Sequence, residues 1–198
     1  NIWILSNLDM KICMQALGYK GEMDFPVMQR ESSLSERIAS SVVKLNQMGF
    51  LYLEENGYQP TEELKESFSG IINSDLKLRV LKKESMPIVF YKKGRMFTAV
   101  EQMSVQQESV RISYLSEHAF LDYICKVPGG QLMDEFEKRA QSEKFEQAEE
   151  ILAFKKENDW KFLFIWNAAD GRKMLWDQAK AEAFSRENVL RVLEEECI

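Results

Sequence analysis

Between Leu34 and Val80 four structural signals follow one another, and together they restrict this part of the chain to helix, short hairpin, helix and strand. Residues 33–36, Ser-Leu-Ser-Glu, have the S-x-x-E form of a capping box, in which the serine hydroxyl and the glutamate carboxylate each satisfy a free backbone N–H. A helix therefore begins at Leu34. Leu34, Ile38, Val42, Leu45 and Met48 recur at steps of three and four and form one stripe, and Gly49 stands where a left-handed cap ends a helix. Phe50 to Leu53 is a short apolar and aromatic run, residues 54–57 are turn material, and Tyr58 to Pro60 lead into Thr61, which can cap a second helix. Glu62 and Glu63 suit the positive end of that helix, and Leu64, Phe68, Ile71 and Ile72 are its inward stripe. Asn73 to Asp75 breaks it, and Leu76 to Val80 alternates as a half-exposed strand.

The remainder extends the pattern in both directions. Ile2 to Leu5 fits either a strand or an apolar staple for the following helix. Ser6 and Asp9 give a weaker capping signal, and Leu8, Ile12 and Ala16 make a helical stripe that stops at Gly18. Residues 19–32, with Gly21 and Pro26, read as a linker. After Val80 the period changes to two: Ile88 to Tyr91, a turn at Lys92 to Gly94, a strand from Arg95 to Met103, and a further strand through Val110, Ile112 and Tyr114. With residues 76–82 these predict a four-stranded antiparallel meander, because the connections are short and carry turn residues. Ser116 can cap a short helix bearing Phe120, Leu121 and Ile124. Residues 134–154 read as a charged helical run, with Met133, Phe136, Ala140, Ala148 and Leu152 as its stripe. Apolar residues on both sides of the strand Trp160 to Trp166 make it central, and Asn167 to Gly171 turns it into a partner strand over 172–176. Ser185 can cap a last helix with Val189, Leu190 and Leu193 inward.

This is an α+β pattern: an antiparallel meander with helices packed on it, a winged-helix-like N-terminal unit, and a late β-hairpin followed by a C-terminal helix. With 198 residues, 45% of them hydrophobic, the expectation is one domain over residues 1–198, with sub-halves at 1–126 and 131–198. Twelve Phe, six Tyr and four Trp exclude a disordered chain, since that much aromatic surface does not stay solvated. Cys13, Cys125 and Cys197 are far apart and odd in number, which fits neither a disulfide framework nor a metal site and points to reduced thiols in the cytoplasm. No stretch has the roughly 20 apolar residues of a membrane span, and no basic-then-apolar leader is seen, so no membrane association is expected.

Reaction chemistry finds little footing. The single histidine, His118, lies seven residues from Cys125 on one helix, a rise of about 10 Å, too far for direct proton transfer. No phosphate-binding loop, dinucleotide fingerprint or zinc-protease motif appears, and no cofactor or metal is expected. A non-enzymatic role follows. Net charge is −6, yet Lys77, Arg79, Lys82, Lys83, Lys92, Lys93 and Arg95 crowd the strands between 77 and 95 against one acid, Glu84. Lys77 and Arg79 share the face opposite Leu76, Leu78 and Val80. The basic hairpin, with Lys92, Lys93, Arg95 and Met96, and the loop from Met103 through Val105 to Glu108 are the expected partner-binding surface, because sheet edges and apolar tips suit partner helices.

The order of several pieces resembles the EspG family, cytosolic chaperones of ESX (type VII) secretion. They are Trp3 to Ser6 with the helix closing at Leu17-Gly18 and Pro26 beyond; Val43 to Leu51; Tyr58 to Leu64; Leu76 to Val80; and Phe164 to Arg172 before the terminal helix. The resemblance implies a chaperone that binds a helical secretion substrate and keeps it soluble without turnover. The alternative is a winged-helix-like nucleic-acid-binding or regulatory protein. It has in its favour the order of the first elements and the basic strands. Against it stand the charges: the helix at 34–48 carries Arg37 and Lys44 alone as cations, and the helix at 61–72 carries Glu62, Glu63 and Glu66 against Lys65. The oligomeric state is left open, a dimer included.

Overall fold

A computed structural model of the chain describes residues 2–21, 23–25, 27, 33–82, 86, 88–104, 108–125, 150–156, 159–167, 173–176 and 180–197. The fold is α+β with antiparallel pairing throughout the sheets. Its elements are β1 (Ile2–Ser6), α1 (Asn7–Ala16), α2 (Leu34–Gln47), β2 (Leu51–Glu54), β3 (Gly57–Pro60), α3 (Glu62–Ile72), β4 (Leu76–Lys82), β5 (Ile88–Lys93), β6 (Met96–Ser104), β7 (Ser109–Ser116), α4 (Glu117–Cys125), β8 (Glu150–Lys156), β9 (Asp159–Asn167), β10 (Lys173–Trp176), β11 (Ala181–Ala183) and α5 (Arg186–Cys197). The chain divides into two units, residues 1–74 with 98–114 and residues 75–97 with 115–198.

In the first unit the run from Ile2 to Leu5 is a strand, which resolves the two readings that its length leaves open. β1 pairs antiparallel with β7, from Ile2 opposite Ser113 to Ser6 opposite Ser109, and β6 lies on the far side of β7. Ser6 then caps α1 through the full reciprocal box: its hydroxyl accepts from the Asp9 N–H at 3.0 Å, and the Asp9 carboxylate accepts from the Ser6 N–H at 2.9 Å. The apparently stronger signal at Ser33 forms one half of such a box, its hydroxyl accepting from Glu36 N–H at 3.3 Å. α2 ends as expected at Gly49, whose φ of +77° any side chain would strain. There the Phe50 N–H reaches the Leu45 carbonyl and the Gly49 N–H reaches that of Asn46, both at 2.9 Å, a Schellman closure that sends Phe50 and Leu45 into the core together. Phe50 meets Trp3 edge-on at 4.8 Å between centroids and Phe68 of α3 at 6.1 Å, so β1, the turn after α2 and α3 share one aromatic seam.

The second unit runs in the strand order β5-β4-β8-β9-β10-β11. Leu76, Leu78 and Val80 are buried, and Lys77 and Arg79 alternate with them, as the period-two pattern predicts. β9 lies between β8 and β10, and Leu163, Phe164 and Ile165 are buried in succession, the mark of a strand covered on both faces. Phe90, Phe97 and Phe120 form the aromatic centre, Phe97 and Phe120 stacked at 4.0 Å. Ser116 and Ser185 cap α4 and α5 by accepting from Ala119 N–H and Asn188 N–H. The expected meander order is present in both places, with β5 beside β4 here and β7 beside β6 in the first unit.

One expectation is corrected. The charged helical run over 134–154 does not extend through Phe154, because 150–156 is β8, paired with β4 on one side and β9 on the other. The residues Ile151 to Phe154 are an apolar run flanked by charges, equally legible as a buried strand, and the vacant edge of β4 decides between the two. The part over 134–149 lies outside the described residues. β11 was not anticipated, since Ala-Glu-Ala carries no strand signal.

A close approach in the first unit makes a test of the packing. A Cβ built on Gly70 of α3 falls 2.3 Å from the hydroxyl oxygen of buried Thr98 on β6. Gly70→Ala is expected to destabilise the protein by about 1–3 kcal/mol, despite the better helix propensity of alanine. The double variant Gly70→Ala/Thr98→Ala should recover much of that loss in urea denaturation. Recovery of nothing would show that the crowding lies elsewhere.

Candidate partner-binding surface

Two of the residues expected from sequence at the partner surface, Lys92 and Glu108, are buried. Lys92 is buried, and its ammonium donates to the Gly94 carbonyl at 2.7 Å across its own turn. This is a correction: a lysine that closes a hairpin internally is not offered to a partner. Lys93, Arg95 and Met96 are exposed at the same turn, with Arg95 3.3 Å from Glu117. Met103, near the end of β6, is exposed. Val105 lies outside the described residues. Glu108 is the second correction: it is 3% exposed, holds φ at +50°, accepts from Arg37 at 2.8 Å and offers its carbonyl to the Asn7 N–H at 2.6 Å. Its burial and its left-handed backbone make it a structural anchor for the start of β7.

The same anchoring determines what α2 shows to the outside. Its two cations, Arg37 and Lys44, are seven residues apart and so fall on one flank of the helix. Arg37 meets Glu108, and the Lys44 ammonium lies 2.5 Å from the carboxylate of buried Asp9 on α1. Burial alone would raise the Asp9 carboxyl, but bonds from Lys44, the Ser6 N–H and Ser41 outweigh it and hold the group below the ordinary carboxylate range. The stripe adjoining these cations is only half covered. Leu45 is fully buried, yet Leu34 is 57% and Ile38 37% exposed, and Val43 is exposed on the opposite side. The sequence placed Leu34 and Ile38 on the right stripe and could not tell that the core ends before reaching them.

A second uncovered area follows in the chain. Leu51 of β2 points into the core, while Tyr52 and Leu53 are 47% and 52% exposed on a hairpin closed by Leu53 opposite Tyr58 and Glu54 opposite Gly57. Thr61 ties the hairpin to α3: its hydroxyl donates to the Gly49 carbonyl at 2.7 Å and accepts from the Leu64 N–H at 3.2 Å. On α3, Leu64, Phe68 and Ile71 face inward and Glu62, Glu63 and Glu66 are exposed, with Lys65 bonded to Glu62 at 2.5 Å. An open pocket of about 370 Å³ lies beside α3, lined by Ala16, Leu17, Pro60, Lys65, Ser69, Ile72 and Asn73. The hairpin tip and the acidic helix were both legible in sequence; the pocket was not, because it needs the C-terminal end of α1 brought against them.

His118 is mostly exposed and belongs to a polar cluster that joins α4 to the start of α5: its ring lies 3.3 Å from Asp122 and 3.1 Å from Arg186, which also bonds Asp122. Cys13 is fully buried, and burial pushes its thiol far above the ordinary range, so it packs as a small apolar residue. Among the described residues no three His, Cys, Asp or Glu side chains converge as metal ligands would, and no helix is long and apolar enough to cross a membrane. No family model matches the chain, and no curated protein matches it.

Proposed function

We propose that the protein is a non-enzymatic, cytoplasmic protein-binding module that holds a helical partner soluble, in the manner of a secretion-substrate chaperone. The observation that carries this reading is the uncovered half of the α2 stripe. Leu34 and Ile38 occupy successive turns of one helix face, the spacing at which an amphipathic partner helix lays its own apolar stripe. Arg37 and Lys44, the cations that a helix needs to meet phosphate, are committed to Glu108 and Asp9. This weighs against the winged-helix nucleic-acid reading, and the exposed glutamates of α3 weigh against it again.

The test is co-expression with the products of neighbouring genes followed by size-exclusion chromatography. A small helical protein is expected to co-elute. Leu34→Glu/Ile38→Glu is expected to abolish co-elution with an unchanged far-UV circular dichroism spectrum, since both side chains are already solvated. Failure of any helical protein to co-elute counts against the chaperone reading. Affinity for duplex DNA at low salt that falls steeply as salt is added would put the nucleic-acid reading in its place.

A further inference from the structure

We propose that the outer edge of β1 is a self-association seam, at which a second copy of this chain adds its own β1 antiparallel and joins the two sheets about a twofold axis. The seam uses none of the α2 residues of the proposed chaperone surface, so it stands or falls separately. β1 is the last strand of its sheet, paired with β7 on one side and, among the described residues, with no strand on the other. Such an edge is ordinarily blunted by a lysine, a proline or a bulge. The run from Ile2 to Ser6 has no lysine and no proline, and its register with β7 is unbroken. Ile2 and Ile4, which alternation puts on one face, are 66% and 56% exposed. The other face is already used: Leu5 is buried and Trp3 lies against Phe50.

The hydrogen-bond phase settles which backbone groups this edge offers. The register that sets Ile2 opposite Ser113 and Ser6 opposite Ser109 continues to Asn7 opposite Glu108, where the Asn7 N–H donates to the Glu108 carbonyl at 2.6 Å. Antiparallel bonds recur at every second residue, so Leu5 and Trp3 turn their N–H and C=O toward β7, while Ser6, Ile4 and Ile2 turn theirs outward. Ser6 fits this phase, since its N–H goes to the Asp9 carboxylate at 2.9 Å. The capping box thus closes the edge at Ser6 and leaves Ile2 and Ile4 to extend the ladder. One antiparallel register of two identical strands uses both residues of both copies: Ile2 faces Ile4 of the second copy, with Trp3 on the twofold axis. This symmetry favours a second copy over an unrelated strand, because Ile-Trp-Ile reads the same in both directions and each isoleucine meets an isoleucine on the exposed face. Charge does not oppose it. β1 carries no ionisable side chain, and Arg111, opposite Ile4 on β7, is bonded to Glu101 of β6. In the joined sheet the two copies of Arg111 stand in different rows, three strand spacings or about 14 Å apart across the strands. A seam of two residues a side is small, so the expected dimer is reversible, with a Kd on the order of 10–100 μM.

Sedimentation equilibrium of the full chain over a concentration series tests this, and a monomer–dimer equilibrium is expected. Ile2→Lys/Ile4→Lys sets cations against one another across the seam. Ile4→Pro removes an outward N–H and leaves the bonds to β7 in place. Each is expected to raise the dimer Kd ~10-fold or more with an unchanged far-UV circular dichroism spectrum. Leu34→Glu/Ile38→Glu on α2 is expected to leave the Kd as it is. Oxidative cross-linking reads the register in chains that carry Cys125→Ser/Cys197→Ser. An equimolar mixture of Ile2→Cys and Ile4→Cys chains is expected to give the mixed disulfide dimer, and neither chain alone a dimer, because facing residues of a bonded pair lie about 5.5 Å apart between Cα atoms. A monomer at every concentration would leave the edge to a strand of another protein and overturn the proposal, as would a dimer that both β1 variants leave intact. Loss of the dimer in the α2 variant with none in the β1 variants would place the seam on α2 and overturn it too. So would a cross-link of either cysteine chain with itself, which requires a different register.

Discussion

Phe120→Ala is expected to cost about 3–5 kcal/mol, the range for removing a large aromatic side chain from a packed core. Phe120 is fully buried; its ring stacks on Phe97 at 4.0 Å and 7° and meets Phe90 edge-on at 5.0 Å. The space left collapses little, because Phe97 and Phe90 are held by their strands, although Tyr123 of α4 also meets Phe90 at 5.7 Å. Since a domain's total stability is on the order of 5–15 kcal/mol, the variant should be marginal, with a large drop in its urea midpoint. Met96→Ala, at an exposed position just before Phe97, should change stability by less than about 0.5 kcal/mol. Similar losses for the two variants would contradict the assignment of this triad as the centre of the second unit.

The other large effect joins stability to pH. Lys44→Met leaves the Asp9 carboxylate buried with the Ser6 N–H and Ser41 but without its cation. The expected loss at neutral pH is about 2–3 kcal/mol, less than the ~3–5 of a fully buried pair, because Lys44 is half exposed and water screens part of the attraction. The sign of the pH dependence follows from the native carboxyl being held below its ordinary value. In the natural sequence Asp9 contributes stability that is complete above its unfolded value near 3.8 and is lost as pH falls through the lower folded value. In the variant burial is less opposed, the folded carboxyl rises, and protonation relieves the stranded charge instead of breaking a pair. The destabilisation by Lys44→Met should therefore be large at pH 7 and shrink toward pH 3, measured by urea denaturation followed through tryptophan fluorescence. A penalty equal at both pH values would show that Lys44 contributes packing and not charge.

Helix and strand existence was largely legible because each signal is local. Ser33, Thr61, Ser116 and Ser185 each stand at a helix start in sequence and each caps one in the structure. The alternation of Leu76, Leu78 and Val80 with Lys77 and Arg79 likewise needs no knowledge of the rest of the chain. The errors share a cause. Ile151 to Phe154 satisfies two periods at once, and the pairing with β4 that selects the strand is with residues seventy or more positions earlier. The candidate surface was less legible still, since a charged residue in a turn reads as exposed. Lys92 and Glu108 are buried because a carbonyl and a guanidinium await them. Lys173 was missed for the same reason: it is buried on β10, where its ammonium donates to the Ile124 carbonyl at the end of α4 and lies over the Phe184 ring.

By itself, then, the amino-acid sequence determined the α+β class, the positions of most helix caps, the meander order and the apolar period of each described helix, all of which follow from hydrogen bonds and apolar periods within a few residues. Only the tertiary structure decided which part of a stripe is covered and which charges are spent. Leu34, Ile38 and Leu45 have the same periodic standing on α2, and the core reaches one and stops before the others. Arg37 and Lys44 read simply as the two cations of that helix, and two carboxylates distant in sequence, Glu108 and Asp9, pair with them. Burial and charge pairing depend on groups far away in the chain, so they are set when elements pack.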